Sequence, residues 1–520
     1  MKKSRFVLTM VVCMFLLAQV TLFAGGNKES SAAGDSGPVE LTLLTREFPD
    51  FPMKQDTPVI QEIERVLGIK LILETVPNQD YLDTKLPALM AVNEIPDIVY
   101  IDSRIANKYG PMGMLVPISD YSSQTPNFNK IVNSRSEIKK VYTEGTLYYF
   151  PQTEYFRIGL ASMPIIRTDL LDKYGLEVPG TFDELFDALM VMKKNDPSIV
   201  GVTGRIGIEY VLGQWSFAMG SGGFPAFTFQ GMYWEPKENR WLYGPAQKNF
   251  KELVAYFNKL YENGLLDPDI PTGDTQLFRQ KMTTGKAVFT WDNSTKPERE
   301  YNPGLVKTDP NAKFEVIPPL QNNEGNTRAL GYFKDWLEAG YAISAKSPHV
   351  DAAIKLLDWM YSEEGTVATN WGIEGETYTM ENSEPVLDPE LLGKYKNEPN
   401  GYDSMMSEIG GGLLAFAPSV DERNLIPFQE ELMSTANKIN KWQSDGLIHS
   451  LQYNPPFTKK EADELSKLRQ QVDQTLFASE IWKFITGKRP ISEYDAFTEE
   501  LMKEGGKRMQ EIFNEAQNRL

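Results

Sequence analysis

The chain has 520 residues, of which 53 are basic and 71 acidic, so its formal net charge at pH 7 is -18. It contains one cysteine and two histidines, which argues against a disulfide scaffold, a Cys/His zinc site and a catalytic centre that needs several histidines. The acidic balance argues against a nucleic-acid partner, because such proteins neutralise phosphate with Lys and Arg, and the length predicts at least two domains.

The N-terminus has the pattern of an export signal. Basic residues within the first five positions precede an apolar run at 6–17, and small residues follow it. A single membrane anchor is the alternative, but Gln19 and two threonines shorten the apolar stretch below the roughly 20 residues that a span needs. We therefore predict that residues 1–24 are a signal peptide cleaved after Ala24, and that the protein works in the periplasm or outside the cell.

After a predicted flexible linker of small and polar residues at 25–39, strand and helix signals alternate. The first five elements follow the order β-α-β-α-β and are predicted at 40–45, 58–68, 69–76, 79–93 and 97–101. Pro87 lies inside the second helix, where it should cause a kink or a break. Strands that alternate with helices predict a parallel sheet covered on both faces.

The same alternation resumes after residue 160. Thr181 and Glu184 predict a capping box for the helix behind them. Short buried strands are predicted at 286–291 and 339–345, and the pair 347–348 begins another helix. The last 60 residues are predicted to be mostly amphipathic helix.

Longer stretches are more specific than this alternation. They are NEIPDIVYID at 93–102, DLLDKYGLEVPGTFDELFDAL at 169–189, YENGLLDPD at 261–269 with MTTGKAVFTWD at 282–292, the stretch 342–378, and FITGKRPISEYDAFTEELMKEGG at 484–506. Together they resemble the extracellular solute-binding proteins of ABC importers, family 1. The last two are similar to the long oligosaccharide-binding branch that includes the alginate-binding and LplA-type lipoproteins. The resemblance spans nearly the whole chain after the signal.

The resemblance implies an α/β protein with the two-lobed type II periplasmic-binding-protein fold. Each lobe would be a parallel-type sheet flanked by helices, with a ligand cleft between the lobes and chain crossings near 153–160, 286–292 and 332–342. The implied N-terminal lobe comprises 40–155 and 290–335, and the implied C-terminal lobe comprises 156–289 and 336–520.

Ligand is expected outside the carboxyl ends of the strands, where the lobes face each other. A sugar ring has an apolar face that stacks on aromatic rings and hydroxyls that need polar partners, so we searched the loops for both. The predicted stacking residues are Trp215, Trp291, Trp336, Trp371 and Tyr155. The predicted polar residues are the acceptors Asp102, Asp292 and Glu374 and the donors Arg46 and Arg157. The alternatives are a core position for each aromatic residue and a solvated surface for each charge.

Two further tryptophans, Trp234 and Trp241, flank the segment EPKENR. This segment predicts a hairpin turn with exposed flanks rather than a wall of the cleft.

Relatives in the resembled branch often carry a calcium loop rich in Asp and Asn after the helix that here ends near Lys194. In the corresponding stretch, 195–201, only Asp196 is anionic, whereas a hard cation needs about six to eight oxygen ligands. We therefore predict no metal site here, and no cofactor.

The resemblance implies a monomeric, non-catalytic protein that captures a carbohydrate, in the first place an oligosaccharide. It would deliver this ligand to the transmembrane subunits of an ABC permease. One alternative is a secreted polysaccharide-degrading enzyme that uses Asp292 and Glu374 as a carboxylate pair. Another is a sensor protein that presents its ligand to a receptor. The identity of the sugar, its length and its charge stay open, and so does a ligand other than a sugar.

Overall fold

The structure is a computed structural model. It describes residues 37–48, 51–153, 161–223, 231–331, 336–398, 400–411, 421–424, 426–428 and 430–520. The predicted signal peptide and nearly all of the predicted linker lie outside these ranges, and so do most of the predicted crossing at 153–160 and the start of the one at 332–342.

The β-strands fall into two large sheets and two hairpins. In chain order they are β1 (Val39–Glu47), β2 (Ile69–Pro77), β3 (Ile98–Asp102), β4 (Phe150–Gln152), β5 (Ala161–Arg167), β6 (Val200–Val202), β7 (Met232–Glu235), β8 (Arg240–Tyr243), β9 (Ala287–Asn293), β10 (Phe314–Val316), β11 (Ala329–Gly331), β12 (Trp336–Ile343), β13 (Tyr378–Glu381), β14 (Glu384–Leu387) and β15 (Ile448–Ser450).

The α-helices cover the sheets. They are α1 (Pro58–Leu67), α2 (Asn78–Asp80), α3 (Leu86–Val92), α4 (Ser103–Tyr109), α5 (Pro126–Ser134), α6 (Thr168–Tyr174), α7 (Phe182–Asn195), α8 (Ile208–Met219), α9 (Lys248–Glu262), α10 (Thr275–Thr283), α11 (Asn302–Leu305), α12 (Val350–Trp359), α13 (Glu363–Trp371), α14 (Pro389–Tyr395), α15 (Gly401–Ile409), α16 (Glu430–Ser444), α17 (Lys459–Gln471), α18 (Ala478–Ile485), α19 (Tyr494–Leu501) and α20 (Lys507–Gln517). No helix in the described part of the chain combines the length and the hydropathy that a membrane span requires.

Local signals set the helix boundaries as predicted. Pro58 occupies the first turn of α1, and Gly68 ends it in the left-handed region with φ 68°. At the start of α7, the Glu184 amide donates to Thr181 Oγ1 and the Thr181 amide donates to Glu184 Oε2, which completes the predicted capping box. Before Pro87 the helix changes to a π-helical turn at Tyr81–Lys85 and then continues as α3, so the proline is accommodated by an altered hydrogen-bond pattern and the helix does not break.

The first sheet has the strand order β2-β1-β3-β12-β4. Strands β1, β2 and β3 are parallel, as the β-α-β-α-β pattern predicts, whereas β12 is antiparallel to both β3 and β4. Ala339 in β12 lies opposite Asp102 in β3. This pairing places β12 in the N-terminal lobe, although its residues fall in the segment 336–520 assigned to the C-terminal lobe from the sequence.

The second sheet has the order β15-β11-β5-β9-β6, with β10 paired to β5. Strand β9 is antiparallel to β5 and parallel to β6 over its whole paired length, so 287–293 is not a crossing between lobes. Strands β10 and β11 also lie in this sheet, whereas the sequence assigned 290–335 to the N-terminal lobe. The lobe assignment of β12 and that of β9, β10 and β11 differ from the prediction for one reason. A strand that is buried on both faces has no alternation of apolar and polar residues that identifies its partner strand.

Each sheet has its own hydrophobic core. The core of the first sheet includes Ile354 and Leu357 from α12, and that of the second includes Phe289 from β9 and residues of α17 to α20. A smaller cluster, which we call the third cluster, forms around Met405 and Met406 of α15. The result is a two-lobed α/β fold in which the chain passes between lobes more than once.

Candidate functional site

Residues at the carboxyl side of the second sheet contact the first lobe. Strands β6, β9, β11 and β15 run in one direction, so their carboxyl ends share one side of the second sheet. The Asn454 amide, which follows β15, donates to Glu338 Oε1 of β12 at 3.0 Å. Gln452 Oε1 accepts from Lys140 Nζ of the first lobe at 3.5 Å. These bonds join the two sheets at the side where ligands bind in open α/β folds.

The first edge consists of the polar residues at the carboxyl ends of β1, β2 and β3. The Arg46 guanidinium lies 4.6 Å from the centre of the Tyr100 ring and 5.6 Å from that of Phe48, and its Nη1 donates to Asn78 Oδ1 at 3.3 Å. A guanidinium held on aromatic rings keeps a fixed orientation. From the sequence we expected stacking groups and hydrogen-bond donors on different residues. Arg46 combines both properties, because its planar guanidinium lies on aromatic rings and carries N–H donors.

Asp102, also on the first edge, supports the neighbouring backbone and side chain. Its Oδ1 accepts from the Ile105 amide at 3.1 Å and caps α4, while its Oδ2 accepts from Arg104 Nε at 2.8 Å. Arg104 donates in addition to Asp83 Oδ1 at 3.2 Å. The structure thus brings the predicted donor Arg46 and the predicted acceptor Asp102 to one edge.

The second edge is formed by Arg205, Asp292 and Asn293 at the carboxyl ends of β6 and β9. Asp292 is 1% exposed, and it accepts from Arg205 Nη2 at 2.8 Å, from Tyr301 Oη at 2.7 Å and from the Asn293 amide at 2.7 Å. Because Asp292 is enclosed by these donors, it orients Arg205 rather than contacting a ligand. Arg205 is not among the residues predicted from the sequence; its signal is its place shortly after β6 and between Gly204 and Gly207.

Ile206, next to Arg205, has a strained and exposed conformation. Its φ is 65°, in the left-handed region that a β-branched residue rarely adopts, and 58% of the residue is exposed. Strained residues of this kind cluster at binding sites, where the surrounding structure holds them. Ile206 adds an apolar surface to the second edge.

The predicted stacking role of three tryptophans does not fit their positions. Trp215 is fully buried and Trp291 is 4% exposed, and they pack on each other with ring centres 5.4 Å apart in the core of the second lobe. Trp371 is 2% exposed in the third cluster, where its Nε1 donates to Asp421 Oδ2 at 3.0 Å. No ring face is left for a ligand, so these are core residues, the alternative that the sequence left open.

The remaining predicted residues are spread more widely. Glu374 is exposed in the turn after α13 and belongs to neither edge. Tyr155 and Arg157 lie outside the described residues, as does the side chain of Trp336. The hairpin predicted around EPKENR is present as β7 and β8. Of its two flanks, Trp234 is partly exposed, whereas Trp241 is fully buried because Asn514 and Gln517 of α20 cover it and hydrogen bond to it.

A buried carboxyl lies where the lobes meet. Glu338 is 8% exposed and accepts the Asn454 amide. Burial raises the pKa of Glu338 to about 8, and the negative charge of Asp102 acts in the same direction. Glu338 is therefore mostly protonated at pH 7, which lets the boundary between the lobes close over an uncharged group.

The fold and the two edges can now be compared with known proteins. Residues 55–367 match the family model described as bacterial extracellular solute-binding protein. The chain belongs to this family. The resemblance found in the sequence is thereby confirmed, and the protein is an exported solute-binding protein.

Relatives of this solute-binding protein cover most of its length. It is 23% identical over 534 aligned residues to the polygalacturonan/rhamnogalacturonan-binding protein YtcQ of Bacillus subtilis, with 98% of this chain and 97% of YtcQ covered. It is 24% identical over 364 residues to the fructooligosaccharide ABC transporter substrate-binding protein FusA of Streptococcus pneumoniae, with 65% of this chain and 63% of FusA covered.

Solved structures confirm the two-lobed fold. The alginate-binding protein AlgQ2, in a crystal structure without calcium ion, superposes with a TM-score of 0.74 and 20% identity, covering 92% of this chain and 98% of AlgQ2. FusA in complex with kestose gives a TM-score of 0.72 and 18% identity over 92% of this chain and 99% of FusA.

The stretch examined for calcium, 195–201, is held by lysine side chains. Lys193 Nζ donates to the carbonyl oxygens of Pro197 at 2.9 Å and Ile199 at 2.6 Å, and Lys286 Nζ donates to that of Ser198. Asp196 Oδ1 accepts from the Ser198 amide. Oxygens that bind ammonium groups do not fit a divalent cation, and no group of three or more His, Cys, Asp or Glu side chains in the described ranges is arranged to hold a metal.

Replacing Lys193 with methionine is expected to lower the free energy of unfolding by about 1 to 2 kcal/mol, because two carbonyl oxygens lose a charged donor. Thermal unfolding measures the effect, with Lys194→Met as the matched control at the exposed neighbouring position. Millimolar calcium should leave the melting temperature of the wild type unchanged. A calcium-dependent rise in that temperature would contradict the absence of a metal site.

Proposed function

We propose that this protein is the substrate-binding component of an ABC importer and captures an oligosaccharide between the first and second edges. It acts as a monomer and delivers the ligand to the transmembrane subunits of the permease. One observation carries the proposal: the strands of each lobe end in an edge with an oriented arginine, and residues that follow β15 of the second lobe hydrogen bond to the first lobe. The ligand class is supported by the similarity to the polygalacturonan/rhamnogalacturonan-binding protein YtcQ and to the fructooligosaccharide-binding protein FusA.

The edges supply what a sugar requires. Arg46 on Tyr100 and Arg205 on Asp292 each present several N–H donors in a fixed plane, which suits neighbouring hydroxyl or carboxylate oxygens. Ile206 offers an apolar contact beside Arg205. Because the donors belong to different lobes, a ligand that contacts both stabilises the closed arrangement of the lobes.

The surroundings of Asp292 favour binding without catalysis. Asp292 is one of the two carboxylates that the alternative of a polysaccharide-degrading enzyme requires. Asp292 is almost fully buried and accepts hydrogen bonds from Arg205, Tyr301 and a backbone amide. A nucleophile or general acid must reach the glycosidic bond, and Asp292 does not reach solvent. We therefore propose that the protein leaves its ligand unchanged.

The proposed place of action is outside the cytoplasmic membrane. Residues 1–24 have the charged, apolar and small-residue pattern of a secretory signal, and we propose that this segment is removed after Ala24. The family description, extracellular solute-binding protein, supports this location.

Saturating oligosaccharide is expected to raise the melting temperature of the purified protein. Ligand at about 100 times its dissociation constant stabilises the folded state by about 2.7 kcal/mol, which corresponds to about 3 °C for a chain of this size. The panel comprises oligogalacturonides and fructooligosaccharides from disaccharide to hexasaccharide, with chromatography of the recovered sugars. We expect a shift with at least one series and no shortened products.

Arg205→Ala tests the second edge in the same assay and should weaken binding about tenfold or more, because Arg205 supplies charged donors. Arg65→Ala, which removes an exposed arginine of α1, is the matched control and should bind like the wild type. If no oligosaccharide of the panel raises the melting temperature, the proposed ligand class is wrong. If the recovered sugars are shortened, the proposed non-catalytic role is wrong. Uptake of labelled ligand by cells with and without the protein separates import from a sensor role.

A further inference from the structure

Tyr301 lies directly behind the second edge without being part of it. It ends the π-helical turn Pro297–Tyr301, which follows β9 in the chain. Its ring is fully buried in the second lobe between Phe278 of α10 and Phe314 of β10, with ring centres 6.0 and 5.8 Å away. Its Oη donates to Asp292 Oδ2 at 2.7 Å. The hydroxyl therefore contacts the second edge from its buried side.

Both chain neighbours of Tyr301 are tied to other elements of the second lobe. Glu300 Oε1 accepts from Arg279 Nε of α10 at 2.6 Å. Asn302 Nδ2 donates to the Phe314 carbonyl at 3.0 Å, and the Phe314 amide donates to Asn302 Oδ1 at 2.8 Å. Because the backbone on each side is held, the phenol of Tyr301 keeps a fixed position.

The hydroxyl of Tyr301 holds one oxygen of a carboxylate whose other oxygen holds Arg205. Asp292 Oδ1 accepts from Arg205 Nη2 at 2.8 Å and from the Asn293 amide at 2.7 Å. A carboxylate that is bonded through one oxygen can turn about its last bond, whereas donors at both oxygens fix its plane. Burial raises the pKa of Tyr301 well above its usual range, and the charge of Asp292 acts in the same direction, so Oη keeps its proton and donates.

Arg205 is the member of this chain of bonds that reaches solvent. Its side chain is 21% exposed, and it lies in the loop between Gly204 and Gly207. A ligand that binds a mobile arginine must pay for the rotamer freedom that the side chain loses, and this cost is smaller where the protein already holds the guanidinium. The buried bonds of Asp292 therefore favour ligand binding at Arg205.

We propose that Tyr301 is a positioning residue for oligosaccharide binding, whose hydroxyl acts through Asp292 to hold the Arg205 guanidinium in the orientation that receives the ligand. This inference rests on the proposed function and adds to it a residue that does not touch the ligand.

Isothermal titration calorimetry tests the inference with the oligogalacturonide or fructooligosaccharide that stabilises the wild type most. Tyr301→Phe keeps the ring and removes the hydroxyl, and should raise the dissociation constant about three- to tenfold, less than Arg205→Ala does. Tyr494→Phe is the matched control. Tyr494 is also fully buried in the second lobe, but its Oη donates to the Pro245 carbonyl at 3.0 Å, so this variant should bind like the wild type.

Combining Tyr301→Phe with Arg205→Ala distinguishes a positioning role from a general structural role. If Tyr301 acts through Arg205, the loss of its hydroxyl should not change the dissociation constant further in the Arg205→Ala protein. If Tyr301→Phe weakens binding by the same factor in the wild type and in the Arg205→Ala protein, its effect does not pass through Arg205 and the inference is wrong.

Asp292→Asn covers the case in which Tyr301→Phe does not fold. It keeps the size of the side chain and removes the charge that attracts Arg205, so it should weaken binding to a similar extent and should also lose its effect in the Arg205→Ala protein. If the wild type binds an oligosaccharide and the folded variants of Tyr301 and Asp292 stay within about twofold of Tyr494→Phe, the inference is wrong and the proposed function stands. If the wild type binds none of the probes, both proposals are wrong.

Discussion

Replacing Glu338 with glutamine is expected to leave the stability unchanged below about pH 4 and to make the protein increasingly more stable than the wild type as the pH rises to about 8. Glu338 is buried between the lobes, and burial raises the pKa of its carboxyl to about 8. Glutamine has the shape of the protonated carboxyl and keeps the Oε1 acceptor that the Asn454 amide uses. The variant therefore resembles the protonated wild type at every pH.

The direction follows from proton binding. An unfolded glutamate has a pKa of about 4.3, so between that value and about 8 the folded chain holds a proton that the unfolded chain has lost. The contribution of Glu338 to the free energy of unfolding is fully present below the lower pKa. It falls by about 1.4 kcal/mol per pH unit as the pH rises to the higher pKa, which amounts to about 5 kcal/mol in all.

Urea denaturation across this pH range measures the difference between variant and wild type. The pKa of Asp473 is also raised by burial, to about 7, but Asp473 is present in both proteins and its contribution cancels. Glu374→Gln, at an exposed position, is the matched control and should show no such pH dependence. A stability difference for Glu338→Gln that does not change with pH would show that this carboxyl is ionised in the folded protein.

Features with a local cause could be predicted from the sequence. The start of α1 depends on Pro58, its end on Gly68, and the start of α7 on Thr181 and Glu184, all within a few residues of the boundary they set. The parallel arrangement of β1, β2 and β3 follows from the crossover connections between successive strands, each of which contains a helix. In each case the decisive contacts are close in the sequence.

Strand partners at a distance could not be predicted in this way. Strands β9 and β12 are buried along nearly their whole length, so neither shows the alternation of apolar and polar residues that would distinguish one sheet from the other. Their assignment depends on pairing with β5 and β3, more than 120 and 230 residues away by number. The predicted lobe segments are displaced for this reason.

Site residues could be predicted where they follow a strand that the sequence identifies, because ligands bind at the carboxyl ends of strands in open α/β sheets. Arg46 and Asp102 follow β1 and β3, which the sequence identifies, and both lie on the first edge. Arg205 follows β6, whose three residues are too few to show a period. Trp215 and Trp291 were misleading because a tryptophan suits a core as well as a sugar, and only the packing around it distinguishes the two.

Replacing Arg328 with methionine is expected to lower the free energy of unfolding by about 3 to 5 kcal/mol, the cost of leaving a buried charge without its partner. Arg328 and Glu235 have side chains that are each 8% exposed, and Arg328 also donates to two carbonyls and lies 4.1 Å from the centre of the Phe217 ring. Urea denaturation at neutral pH measures the loss. Arg240→Met, which breaks an exposed pair with Glu238 in the same hairpin, should cost less than about 1 kcal/mol.

Adding Glu235→Leu to Arg328→Met should restore much of the lost stability, because the uncompensated carboxylate is then absent and an apolar pair fills its place. A single variant that costs no more than Arg240→Met would show that water reaches the Arg328–Glu235 pair.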